Sequence, residues 1–329
     1  MKTSFRKYSR KNGQDLCEIS LENNQGMKVK ILNYGATLEK VLLDSEDMIL
    51  SLNSPEDYSK ERNFLGGTVG RICGRVRLGQ WKHGNQIYQL PQNNGENHIH
   101  GGIGTDMKIW NFKLKNSEQE SRVDLFLFDP DGDNGYLGNM KLHATYKLDN
   151  ENNLSYKLEA VSDQLTIFNP ANHTYFNLGE RATDLKLQLA ADYYLPVGTD
   201  GLPNQGMKNV ENTVFDFRQG KKISAALDSD DNSQINLRNG LDHPFILNGM
   251  QPAAVLSSNK HKMIMTTNAP AIVTYTANHF NHTGVANNIG QYDGITLEAQ
   301  YPPVEGIELG EITLLPFEKF ERKINWNFS

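Results

Sequence analysis

Hydrophobic residues recur at every second position through long stretches of this chain. Met27, Val29 and Ile31 alternate with Lys28 and Lys30, and Trp110, Phe112 and Leu114 alternate with Asn111, Lys113 and Lys115. Leu142, Ala144, Tyr146 and Leu148 repeat the pattern, as do Leu154, Tyr156, Leu158 and Ala160. A period of two sends one set of side chains to a core and the other to solvent, which is the signature of half-buried β-strands. Turn-forming clusters separate the runs, among them 129–135 (DPDGDNG) and 149–153 (DNENN). Helical signal is scarce: a turn near Ser54–Glu61, with Pro55 at a first helical position, and another over Gly220–Leu227. Many short strands between polar turns predict an all-β sandwich or barrel.

Length changes that picture little. The 329 residues would allow two domains, but no linker, repeat or compositional shift marks a boundary, so one large sandwich over 1–329 is expected. No apolar run approaches the ~20 residues that cross a bilayer, and the basic start of the chain has no apolar segment behind it, so neither membrane span nor signal peptide is expected. Cys17 and Cys73 are too few for a disulfide framework and read as free thiols of a cytoplasmic protein. A net charge of −6 with no Lys/Arg run argues against nucleic acid and leaves a small neutral ligand as the simplest partner.

Five clusters punctuate the strands. Segment 169–178 (NPANHTYFNL) sets His173 among strand-forming residues, where an imidazole held on rigid sheet can act as a general acid or can simply be a satisfied core histidine. Far downstream, Glu298 interrupts an apolar run in 294–300 (GITLEAQ), and a carboxylate in a strand interior usually has a partner or a job. Segment 66–75 (GGTVGRICGR) offers Arg71 as a planar fork of donors beside glycines, though it lacks the spacing of a dinucleotide loop. In 93–102 (NNGENHIHGG) the pair His98 and His100 hints at metal. The carboxylate such a site needs is missing, since Gly104 and Thr105 stand there, so no metal is expected, although His261, His279 and His282 are further imidazoles. His100 is read as a hydrogen-bonding residue beside glycines that leave room for a ligand. In 240–245 (GLDHPF), Asp242 either caps a turn or accepts from two sugar hydroxyls. Asn, His, Asp, Glu and Arg near aromatics are the usual makeup of a carbohydrate cleft.

In this order the clusters resemble the aldose 1-epimerase (galactose mutarotase) family, and the resemblance runs over nearly the whole chain. It is carried by 33–37 (NYGAT), 172–178 (NHTYFNL), 194–197 (YLPV), 215–218 (FDFR), 275–278 (YTAN) and 297–300 (LEAQ). It implies a large antiparallel β-sandwich with a sugar in an open cleft, Glu298 as general base and His173 as general acid. It further implies Arg71, His100 and Asp242 as residues holding sugar hydroxyls, and an isomerase that needs neither cofactor nor metal. Monomer and homodimer both fit. Departures from the family pattern are Cys73–Gly74 in place of Ala-Asn, Thr105 in place of Phe, and Pro302–Pro303 after Gln300. They are expected along the cleft wall, where a larger ligand such as the reducing disaccharide maltose would be admitted instead of galactose or glucose. Rival readings are a glycoside hydrolase using Asp242 and Glu298, a non-catalytic sugar-binding protein, and a phosphosugar mutarotase. The last lacks an arginine cluster in sequence.

Overall fold

The computed structural model describes residues 1–228 and 233–329. Three large antiparallel sheets and four two-stranded ribbons are formed by the described residues. The N-terminal one is a meander of five consecutive strands, Lys2–Lys11, Gln14–Glu22, Lys28–Leu32, Thr37–Leu43 and Glu46–Asp47. A nine-stranded sheet runs from Asn111–Asn116 through Glu120–Asp129, Met140–Asp149, Asn153–Ser162, Lys319–Phe328, Lys262–Thr267, Ala254–Ser257 and Lys186–Leu189 to Lys221–Lys222. A six-stranded sheet orders Tyr175–Phe176, Ile295–Gln300, Ala271–Tyr275, Asp242–Leu247, Ala191–Tyr194 and Lys208–Asn209.

The alternation read from sequence becomes register. Leu142, Ala144, Tyr146 and Leu148 lie opposite Ala160, Leu158, Tyr156 and Leu154. All eight are buried in one continuous apolar core with Trp110, Phe176 and Trp326. Burying each large side chain contributes ~1.5–3 kcal/mol, so the facing rows hold the sheets together more than any single contact does. Tyr146 also carries polar work. The Tyr146 hydroxyl donates to Ala36 O at 2.9 Å and accepts from Asn172 Nδ2 at 2.9 Å, which ties the N-terminal sheet to the segment before His173.

The helical turn expected near Ser54–Glu61 is a 3₁₀ turn, Asp57–Ser59, and Gly220–Leu227 holds a short strand, Lys221–Lys222, and one helical turn, Ser224–Leu227. Neither segment carries an apolar stripe long enough to repay helix nucleation. A further short helix, Ser233–Arg238, has no clear helical pattern in the sequence. No helix among the described residues is long and apolar enough to cross a membrane.

Candidate active site

The six-stranded sheet builds the site by period two and register. Tyr175 pairs with Thr296, Glu298 with Val273, Tyr275 with Thr296, Asp242 with Tyr275, and Pro244 with Val273. Alternate residues share a face, so His173, Tyr175, Glu298, Gln300, Val273, Tyr275, Asp242 and Pro244 pave one floor. All of them line a cavity of about 450 Å³, within the usual range for small-molecule sites. The Tyr175–Thr296 and Phe176–Ile295 pairing, continued by two residues, sets His173 opposite Glu298. The backbone of His173 has by then turned away to bond Gly66 and Gly67, which frees its ring to meet the carboxylate.

His173 Nε2 lies 3.4 Å from Glu298 Oε1, and both side chains are about 95% buried. The imidazole is braced by Tyr175 and Phe64, with ring centroids at 5.2 and 5.8 Å. Glu298 Oε1 also accepts from Thr296 Oγ1 at 2.9 Å, while Oε2 accepts from Gln300 Nε2 at 3.1 Å and from the Cys73 thiol at 3.3 Å.

His100 stands on the opposite wall. Its Nδ1 accepts from Gly74 N–H at 3.2 Å, which leaves Nε2 as the protonated nitrogen offered to a ligand. Burial, with His173 and Arg62 nearby, holds it well below the ordinary imidazole range, so it acts neutral. The two glycines after it do not make room for a ligand, as the sequence suggested. A Cβ on Gly101 would stand 1.9 Å from Gly70 O, and one on Gly102 would stand 2.6 Å from Asn134 Oδ1. They let the backbone pack against the neighbouring turn. His98 is turned into the core, donating from Nδ1 to Pro91 O at 2.7 Å and accepting from the Tyr136 hydroxyl at 2.7 Å. The two histidines of the pair therefore do not converge.

Asp242 sits at the far end of the floor. Its Oδ2 takes both Nε and Nη2 of Arg238, the former at 3.1 Å, and Oδ1 has no partner among the described residues. His243 beside it is structural. Its Nδ1 accepts from Asp242 N–H, its Nε2 donates to Gln234 Oε1, and burial pushes it down to about 4.

Arg71 departs from the reading of the sequence. It is 1% exposed and does not line the cleft. Its guanidinium is spent on Asp129 Oδ2 at 2.6 Å, Leu137 O at 2.7 Å and Gly138 O at 2.8 Å. Arg75, four residues on, lines the cleft instead, and its Nε donates to Asn94 Oδ1 at 3.0 Å. Arg62 also borders the cleft, held bidentate by the buried Asp106 at 2.8 Å and stacked 4.5 Å over Phe64. Both arginines were missed. Two guanidinia four residues apart look alike in a sequence, and only the strand Arg75–Val76, paired with His98–Ile99, decides which one faces the cleft.

Of the departures, Gly74 and Pro303 border the cleft, and a Cβ at Gly74 would meet nothing within 4 Å. Thr105 does not. It is 1% exposed, its hydroxyl bonding Thr68 O at 2.5 Å beneath the turn. Cys17 and Cys73 are both buried and unpaired.

Comparison with known proteins agrees with this architecture. The chain is 33% identical over 309 residues to an aldose 1-epimerase of Escherichia coli, spanning 89% of this chain and 88% of that one. An aldose 1-epimerase of Lactobacillus helveticus is 72% identical over 129 residues, which are 39% of this chain and all of that sequence. The crystal structure of a galactose 1-epimerase from Lactobacillus acidophilus superposes with a TM-score of 0.98 at 72% identity, covering 100% of this chain and 98% of that one. The family profile described as aldose 1-epimerase matches residues 18–326, and the chain belongs to that family.

Proposed function

We propose that Glu298 and His173 are the base and acid of an aldose 1-epimerase reaction carried out in this cleft on a free aldose such as galactose or glucose. The supporting observation is the 3.4 Å approach of His173 Nε2 to Glu298 Oε1 on the floor of a sugar-sized cavity. The hydroxyl oxygen and the ring oxygen of a cyclic aldose share one carbon, so the groups that serve them must be neighbours.

Glu298 takes the proton of the anomeric hydroxyl while His173 gives one to the ring oxygen. The bond from that oxygen to C1 breaks, leaving an open-chain aldehyde. Rotation about C1–C2 presents the other carbonyl face. The former ring hydroxyl then attacks, losing its proton to His173 as Glu298 returns one to the carbonyl oxygen. Each positioned transfer supplies ~10²–10⁴-fold. Arg75, His100 and Asp242 hold the remaining hydroxyls: Arg75 and His100 Nε2 as donors, Asp242 Oδ1 as acceptor. Arg75 takes the place first expected of Arg71. The reaction asks for no group beyond these side chains, the whole chain works as one domain, and two unpaired buried thiols suit a cytoplasmic setting.

Polarimetry on freshly dissolved α-galactose and α-glucose tests the assignment. Wild type is expected to speed the decay of rotation, and Glu298→Gln to lose that effect; equal rates would overturn it. No release from aryl glycosides is expected, because a hydrolase needs a second carboxylate flanking the bond.

A second reading concerns the sugar. The open space beside Gly74, bordered by Arg75, Asn94 and Pro303, favours a ligand larger than one ring, such as maltose. Turnover of maltose at least equal to that of galactose supports it, and strict preference for galactose overturns it.

A further inference from the structure

The hydrogen bonds around Glu298 are directional, and their direction can be worked out atom by atom. Asn169 is 3% exposed and does not line the cleft. Its Oδ1 accepts from the Tyr301 N–H at 2.9 Å, a donor only, so its amide orientation is fixed. Nδ2 therefore donates to Tyr301 O at 2.9 Å and to Gln300 Oε1 at 3.3 Å. That contact fixes the second amide in turn and aims Gln300 Nε2 at Glu298 Oε2. On the other side, the Cys73 sulfur lies 3.3 Å from Glu298 Oε2 and 3.6 Å from His100 Nδ1. His100 Nδ1 already accepts from Gly74 N–H, so the thiol proton goes to the carboxylate. Cys73 is held there by its own N–H bond to Asn169 O at 2.8 Å and by packing against Val69 and Ala171.

We propose that Cys73 and the Asn169–Gln300 pair are positioning residues that clamp Oε2 of Glu298, so that Oε1, beside His173, is the oxygen that exchanges the proton with the sugar. This rests on the acid–base reading above. Two donors on Oε2 tie up its lone pairs and lock the carboxylate plane, while Oε1 keeps the hydroxyl of Thr296 and the imidazole edge. Burial and the facing carboxylate both push the thiol well above its ordinary range, so it stays protonated and able to donate. Other titratable groups around the carboxylate are His173, His100, Tyr175 and Tyr275, with Arg62, Arg75, Arg238 and Asp242 further along the cleft. None of them is altered in the variants that follow.

Steady-state mutarotation of galactose as a function of pH provides the test. Cys73→Ala removes a donor to the ionised carboxylate, so kcat should fall about tenfold with KM little changed. The acid limb of the kcat/KM profile should move to higher pH by about one unit, because the lost bond favoured the charged form. Cys73→Ser restores an O–H donor and should return the acid limb to or below its wild-type position. Asn169→Ala, outside the cleft, should shift the limb in the same direction as Cys73→Ala. A purely structural role would lower the unfolding midpoint and leave the pH profile fixed. A folded Cys73→Ala enzyme with the wild-type kcat and acid limb overturns the proposal. Glu298→Gln in the same assay separates the two levels: activity retained there removes the acid–base reading itself, whereas its loss beside an unshifted Cys73→Ala removes only the clamp.

Discussion

Arg71 and Asp129 form an ion pair at 2.6 Å in which both side chains are almost wholly buried, outside the cleft. The pair joins the glycine-rich segment to the end of the strand Glu120–Asp129, and Lys108 bonds the other oxygen of the same carboxylate. Removing one partner of a buried pair typically costs ~3–5 kcal/mol, and here it also strips the Leu137 and Gly138 carbonyls of their donor. Arg71→Ala should therefore lower stability by about that much in denaturant titration. Arg75→Ala should leave the midpoint within error and raise KM for galactose roughly tenfold, the loss of one or two charged hydrogen bonds. The opposite pattern, with Arg71 governing KM, would return Arg71 to the sugar.

Asp242 depends on Arg238 for its orientation, since both bonds from that guanidinium land on Oδ2. Arg238→Met keeps the aliphatic stem but frees the carboxylate. The expected result is a severalfold rise in KM with kcat nearly constant, since the role proposed for Asp242 is to hold the sugar away from the reacting carbon. A fall in kcat at constant KM would show that Asp242 takes part in the chemistry.

Stability should decline with pH through a group remote from the cleft. Glu39 is 1% exposed, and its Oε2 has no hydrogen-bond partner among the described residues. Burial, with Glu18 alongside, pushes its carboxyl up to about 8. The folded chain keeps this proton where the unfolded chain, titrating near 4.5, has lost it. Its contribution is thus fully present below about 4.5 and is lost as pH rises towards 8. Glu39→Gln, neutral at every pH, should flatten the fall of the unfolding midpoint between pH 5 and 8. An unchanged slope would place the titration elsewhere.

Gly74 can be filled without strain on its neighbours. Its φ of +85° suits Asn better than most side chains, and open space surrounds the Cβ position. Gly74→Asn should reduce turnover of maltose relative to galactose, measured as the ratio of kcat/KM values. A constant ratio would remove the link between this gap and ligand size.

Much of this was legible in the residues. Alternation over Leu142–Leu148 and over Leu154–Ala160 announced two half-buried strands, and the structure pairs them with their apolar rows facing. His173, His100, Asp242 and Glu298 were singled out by type and setting, and all four line one cleft. What alternation does not encode is the direction of side chains in turns. Arg71 and Thr105 belong to connecting segments, where facing is decided by bonds to distant partners, Asp129 for the one and Thr68 for the other. The hydrogen bond from Cys73 to Glu298 spans 225 positions, and no local pattern announces it.

Glu298 lies on a strand of the six-stranded sheet and His173 two residues before the strand paired with it, so the register of that pairing sets where the two side chains meet. The side walls, by contrast, come from connecting segments that carry Gly74, Asn94 and Pro303. The proposed acid–base pair and the walls beside it therefore draw on largely different stretches of chain. Substitutions in the walls can then retune which sugar enters while His173 and Glu298 keep their geometry, so a lineage can change diet without relearning its reaction.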